Sequence, residues 1–162
     1  MYKGVLILGL VCLCSTAALA QDKVDNGWAC GKPAMANSIN VGDQPGHAYA
    51  IDQITCDSTK GEIAGVREKQ GKGTEFGEVK GDRSSGHAVF VETMANGDMV
   101  YATYQPTITV KDGLLQSGMD KWQYTGGTGK FKGLKGSGTC KGSGNADGSS
   151  TWTCTGTYSL PK

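Results

Sequence analysis

His47 and His87 are the only histidines of the sequence, and each follows a glycine at the head of a run of small and apolar residues. Two imidazoles on one rim can hold a metal or serve as acid and base near neutral pH. Glu92 is the third residue of this kind, an acid inside the apolar stretch from His87 to Met94. Turned inward, its carboxyl would be held protonated by burial and could pass a proton. Plainer readings stand beside these. No third ligand has a fixed relation to the histidines, so structural or surface roles are expected for them, and no metal. Glu92 is expected to face solvent beside Tyr101. No G-x-S-x-G elbow occurs in the chain, which argues against a serine hydrolase.

The segment from Gly126 to Gly138 invites a phosphate-loop reading through Gly129 and Lys130, but Phe131 stands where such a loop needs Ser or Thr. A tight corner between strands is expected instead, with no nucleotide cofactor. Lys121, Lys130, Lys132, Lys135 and Lys141 interleave with Trp122, Tyr124 and Phe131, superficially like a single-strand-binding surface. The whole chain carries 16 Lys and Arg against 15 Asp and Glu. A near-neutral balance makes these lysines a solvated rim and excludes nucleic acid as the expected partner.

The elements that must position these residues begin after residue 20. Lys3, the apolar run Val5 to Cys14, and Ala18-Leu19-Ala20 have the order of a secretory signal cleaved before Gln21, so residues 1–20 are assigned to a signal peptide. The apolar run is too short to cross a membrane as a helix, and no later segment approaches the required length. The protein is therefore expected in the periplasm or outside the cell. Cys30, Cys56, Cys140 and Cys154 remain, an even number suited to disulfides in an oxidising compartment. Of the three pairings, Cys30 with Cys56 and Cys140 with Cys154 is favoured, because the latter pair flanks a Gly, Ser and Asp-rich loop and can meet across a hairpin. Closing that loop contributes about 3 kcal/mol in the chain-entropy picture.

Residues 21–45 show neither helical nor alternating periodicity and are read as an irregular arm. From Gly46 to the C-terminus, residues 46–162, short runs of β-branched and aromatic residues are separated by Gly, Asn, Asp and Ser clusters, the pattern of one antiparallel domain. The segment from Glu62 to Gln70 stays open between helix and strand. The clearest hairpin joins HAVFVETM to MVYATYQ, where Asn96-Gly97 predicts a type I′ turn. That turn pairs Met94 with Met99 and Glu92 with Tyr101. Phe90, Glu92, Met94, Met99, Tyr101 and Thr103 then share one face; Val89, Val91, Thr93, Val100, Ala102 and Tyr104 share the other. Both faces carry bulk, so the sequence leaves open which one points inward. Further turns are expected at Lys111-Asp112-Gly113 and between a final pair of strands, Gly136 to Gly142 and Thr151 to Ser159. The spacing predicts a sandwich or a closed barrel, and closure would remove exposed edges.

Tyr124-Thr125-Gly126 followed by GTGKFKGLKGSG, with Gly86-His87 and Asn96-Gly97-Asp98 upstream, resembles the allene oxide cyclase barrel-like family of small exported bacterial proteins. The resemblance spans about residues 46 to 160. It implies an all-β, calycin-like antiparallel barrel of about eight strands, distantly similar to plant allene oxide cyclases and dirigent proteins. No active-site residue carries over, because the matching positions are turn glycines and a hairpin. The expected function is to bind a small hydrophobic molecule, with Phe90, Tyr101, Tyr104 and Trp122 as candidate contacts, or to act as a structural module of the envelope. The alternative is an isomerase or cyclase acting on a lipid-like substrate, with His47, His87 or Glu92 moving the proton. A resident cofactor is not expected, and the sequence leaves the oligomeric state open.

Overall fold

A computed structural model describes residues 21–161. Ten strands run in chain order: β1 (Asp22–Cys30), β2 (Met35–Asn40), β3 (His47–Lys60), β4 (Glu62–Ile63), β5 (Val66–Lys80), β6 (Arg83–Met94), β7 (Met99–Lys111), β8 (Leu114–Gly127), β9 (Lys135–Gly144) and β10 (Ser150–Ser159). A single 3₁₀ turn, Gly129–Phe131, is the helical element among the described residues. Eight of the strands close into an antiparallel barrel in the order β1, β10, β9, β8, β7, β6, β5, β3 and back to β1. Paired residues followed from Trp28 round the wall arrive at Ala48 on β3, whereas Trp28 itself pairs with Ser58. That ten-residue stagger is what tilts the strands and lets the sheet close.

The stretch 21–45 is not an irregular arm. It holds β1, a wall strand between β3 and β10, and β2, which carries on along the edge of β3 beyond Cys30. The barrel therefore begins at Asp22. The alternation in β1 is regular, with Val24, Asn26, Trp28 and Cys30 buried, but one inward position is an amide rather than an apolar side chain. Asn26 is tolerated there because its Nδ2 donates to Glu68 Oε1 at 2.7 Å. The open segment Glu62–Gln70 forms β4, a two-residue turn at Ala64 (φ 50°) and Gly65 (φ 74°), and the start of β5.

The β6–β7 hairpin is displaced by one residue from the expected register. Met94 N donates to Asp98 O at 2.9 Å and Gly97 N to Met94 O at 3.0 Å, with Gly97 at φ 86° and Asn96 outside the positive-φ region. This is a type I turn completed by a glycine bulge, not a type I′ turn. Glu92 consequently faces Val100, and Val91 faces Tyr101. A slip of one residue exchanges the faces of one strand relative to the other. Phe90, Glu92, Met94, Val100, Ala102 and Tyr104 share the inner side, while Met99 and Tyr101 move to the outer one.

One end of the barrel is sealed. Phe131 and Leu134 from the β8–β9 connection, Ile63 from β4, Met94 and Val100 are all at 0% exposure. Tyr158 OH accepts from Ala64 N at 2.8 Å and Lys130 Nζ donates to Ala64 O at 2.6 Å, tying the two covering segments to the wall. The glycine-rich β9 is part of the wall, as expected. A Cβ at Gly138 would lie 2.0 Å from Thr155 O and 2.5 Å from the Trp122 ring, so only a bare backbone lets that indole lie against the strand. Gly138→Ala is expected to destabilise the fold by about 1–3 kcal/mol through overpacking, with a lowered urea midpoint; its exposed neighbour, as Thr139→Ala, should shift the midpoint by about 0.5 kcal/mol or less.

Candidate functional site: the barrel interior

Strand alternation puts five carboxylic acids inside the barrel: Asp52 on β3, Glu68 and Glu75 on β5, Glu92 on β6 and Asp120 on β8. Nearest the sealed end, Glu68 is 1% and Glu92 3% exposed; Asp120, further along, is 8% exposed. Every described lysine and arginine is exposed on the outer wall or the turns. No cation inside the barrel therefore offsets these acids, and burial pushes their pKa values up. Asp120 is raised to about 7 and Glu68 to about 8, while Glu92 is raised well above the ordinary carboxyl value by full burial and by Glu68 nearby. Asp52 and Glu75 are raised by burial as well.

The acids sit among aromatic rings. Trp28 packs edge-on to Phe90 at 5.1 Å, Phe90 to Tyr104 at 6.3 Å, and Trp122 lies 4.7 Å from Tyr124. The Tyr104 hydroxyl donates to Glu75 Oε1. Between these side chains remains a cavity of about 80 Å³, lined in its polar part by Asn26, Glu75, Glu92 and Asp120. Four buried polar atoms on this lining have no hydrogen-bond partner among the described residues: Asn26 Oδ1, Glu92 Oε2, Asp120 Oδ1 and Trp122 Nε1. Buried polar groups are as a rule satisfied, so a cavity that collects unsatisfied ones is built to receive something polar. No family model matches the chain, and no curated protein matches it. The chemistry of the site thus has to be read from the side chains themselves.

Both disulfides are formed in the favoured pairing, Cys30 with Cys56 and Cys140 with Cys154. Each joins residues directly opposite one another on neighbouring strands, and all four sulfurs belong to cavity-lining residues. Of the residues singled out from sequence, Glu92, Phe90, Tyr104 and Trp122 meet at the cavity. Glu92 does not face solvent, because the shifted register turns it inward beside Val100 instead of outward beside Tyr101. Tyr101 faces away, with its hydroxyl 3.8 Å from Met99 Sδ. His47 and His87 lie on the outer wall and do not join Glu92. His87 tilts against Phe76 at 5.8 Å, and Phe76 stacks on Tyr49 at 6.0 Å, a column of rings facing solvent.

The sequence reading missed Asp52, Glu68, Glu75, Asp120 and Asn26. A signal for one of them exists: Asp120, Trp122 and Tyr124 share the same parity in β8, which places the acid on the aromatic face. For Asp52 and Glu75 the signal is inverted, since their neighbours Ile51 and Phe76 are the exposed ones, at 49% and 46%.

His47 is held by two acids on the outside. Its Nδ1 lies 2.6 Å from Asp43 Oδ1 and its Nε2 2.9 Å from Glu78 Oε1. Only the imidazolium donates from both nitrogens, so these bonds raise its pKa above 6.5. The stability this contributes is present below the unfolded-state value and is lost as pH rises through the raised one. An NMR titration should place the His47 midpoint above 6.5, and Glu78→Gln should bring it down; an unchanged midpoint in that variant would discard the double ion pair.

Proposed function

We propose that the protein is an exported binding barrel that holds a small molecule with an apolar body and polar attachment points in its interior. The observation that carries this is the 80 Å³ aromatic-walled cavity with unpartnered Glu92 Oε2, Asp120 Oδ1 and Trp122 Nε1 on its surface. Apolar walls with a few convergent polar groups are the usual make-up of a small-molecule site. Two disulfides suit an oxidising compartment, and no helix among the described residues is long and apolar enough to cross a membrane. Export by cleavage before Gln21 is part of the proposal, since residues 1–20 lie outside the described region. So is kinship with the allene oxide cyclase barrel-like proteins, which the barrel and the segment around Gly126–Gly138 support.

Native mass spectrometry of protein taken from the exporting cell tests this reading. An added small mass is expected on the native protein, and it should vanish on denaturation and in Ala102→Leu, which places three more carbons against the cavity. A native mass equal to the denatured one in both proteins would point to a packed barrel working through its surface.

A second reading, an isomerase or cyclase, is favoured by one observation. Glu92 and Asp120 are acids that burial keeps protonated toward neutral pH, the condition for donating a proton. It expects Glu92→Gln or Asp120→Asn to remove turnover of an epoxide or alkene substrate while the fold stays intact.

A further inference from the structure

We infer that the ligand of this interior is a small organic cation, an alkylammonium of about five non-hydrogen atoms, held between the aromatic rings and the carboxyls of Glu75, Glu92 and Asp120. The inference rests on the binding reading above and narrows it to one charge class. Its first support is the charge pattern of the described residues: five acids inside, every lysine and arginine outside. Its second support is the set of buried, unpartnered oxygens, Asn26 Oδ1, Glu92 Oε2 and Asp120 Oδ1, on the cavity lining. Ammonium N–H groups are the complement of such oxygens, and aromatic faces attract the alkylammonium surface as well. The size limit follows from the cavity: about 80 Å³ lies between one water and the roughly 150 Å³ that accommodates benzene.

Charge balance then fixes how binding responds to pH. The groups facing the cavity or one another across it are Asp52 from β3, Glu68 and Glu75 from β5, and Glu92 from β6. Tyr104 from β7, with Asp120 and Tyr124 from β8, complete the set around the acids, and Tyr158 stands on β10 beside Tyr124. The inward residues of β1 and β9 are Val24, Asn26, Trp28, Cys30, glycines and Cys140, none of which titrates. Without a ligand, burial favours the protonated form of each of these acids. An entering cation replaces a proton: one carboxyl ionises, the proton passes to solvent, and the ammonium takes its place beside the carboxylate. Affinity therefore rises with pH, tenfold per unit for each proton released, until the acid is ionised without help.

The probes are tert-butylammonium chloride and its neutral counterpart of the same shape, tert-butanol. The readout is intrinsic fluorescence, because all three tryptophans, Trp28, Trp122 and Trp152, line the cavity. Saturable one-to-one binding of tert-butylammonium is expected at pH 7, weakened about fivefold at pH 6, with tert-butanol at least tenfold weaker. Calorimetry at pH 6 in two buffers of different ionisation enthalpy should show about one proton released per cation bound by the unaltered protein. The double variant Asp120→Asn with Glu92→Gln should lose the preference for the cation. If tert-butanol binds as well as or better than the ammonium at both pH values, the cation inference is overturned while the binding barrel stands. If neither probe perturbs the tryptophans, both are overturned.

Discussion

Stability is expected to peak in mildly acid solution, at about pH 4–5, and to fall by several kcal/mol between about pH 5 and pH 8. The sign follows from the buried acids. A carboxyl whose folded-state pKa lies above its unfolded value binds a proton more tightly in the native barrel than in the open chain. It costs nothing while both states are protonated, and its penalty grows as pH rises from the unfolded value to the folded one. Asp120, raised to about 7, and Glu68, raised to about 8, place that window between about pH 4 and pH 8. At about 1.4 kcal/mol per unit, Asp120 alone accounts for a loss on the order of 4 kcal/mol. His47 adds in the same direction. Asp43, Glu78 and Asp147, whose pKa values are lowered by hydrogen bonds, act oppositely and set the acid limit, because their contribution disappears as pH falls below the usual carboxylate range. Urea unfolding across this range checks the expectation. Asp120→Asn should flatten the decline and raise stability at pH 8; a wild-type profile that is level or rising from pH 5 to pH 8 would show the interior acids to be solvated and ionised.

The second large effect concerns the disulfides. Cys30–Cys56 spans 26 positions and Cys140–Cys154 spans 14, which in the chain-entropy account correspond to about 3.5 and about 3 kcal/mol. Together that is comparable with the whole stability of many domains. Reduction, or replacement of the four disulfide-bonded cysteines by alanine, should therefore leave the chain largely unfolded at 37 °C, measured as loss of the near-ultraviolet signal of the three buried or half-buried tryptophans. Cys30–Cys56 is expected to matter more than its loop length alone implies. It stands where the edge of β3 passes from β1 to β2, so its loss frees the strand that closes the barrel. A reduced protein with an unchanged melting temperature would show that the wall holds without its covalent ties.

What was legible in the sequence follows from where side-chain chemistry is unambiguous. Cys140 and Cys154 could be paired because the loop between them is a turn and the flanking runs alternate; they stand opposite each other in register. The spacing of turns pointed to an antiparallel sandwich or barrel, and the choice of a barrel of about eight strands came from the resemblance around Gly126–Gly138. The β1 strand was hidden by Asn26, a buried amide that breaks the apolar alternation and is explained only by Glu68, 42 residues away. The β6–β7 register was hidden because Asn-Gly serves two turn types, and the backbone at Asn96 decides between them. The acids were hidden because polarity is inverted at the level of Ile51–Asp52 and Glu75–Phe76: the large apolar residue faces water and the carboxyl faces the core. Average hydrophobicity rewards the opposite arrangement, so only the register reveals it.

The seam of the barrel has a consequence in time. The first strand, Asp22–Cys30, has its long partner in the last, Ser150–Ser159. During synthesis, and during any passage through a translocation channel, that partner emerges last. Until it does, Val24 and Trp28 have no complete wall to join, and Cys140 waits for Cys154. Ring closure therefore waits for Ser150–Ser159, and the chain remains threadable until that strand is free to pair with Asp22–Cys30.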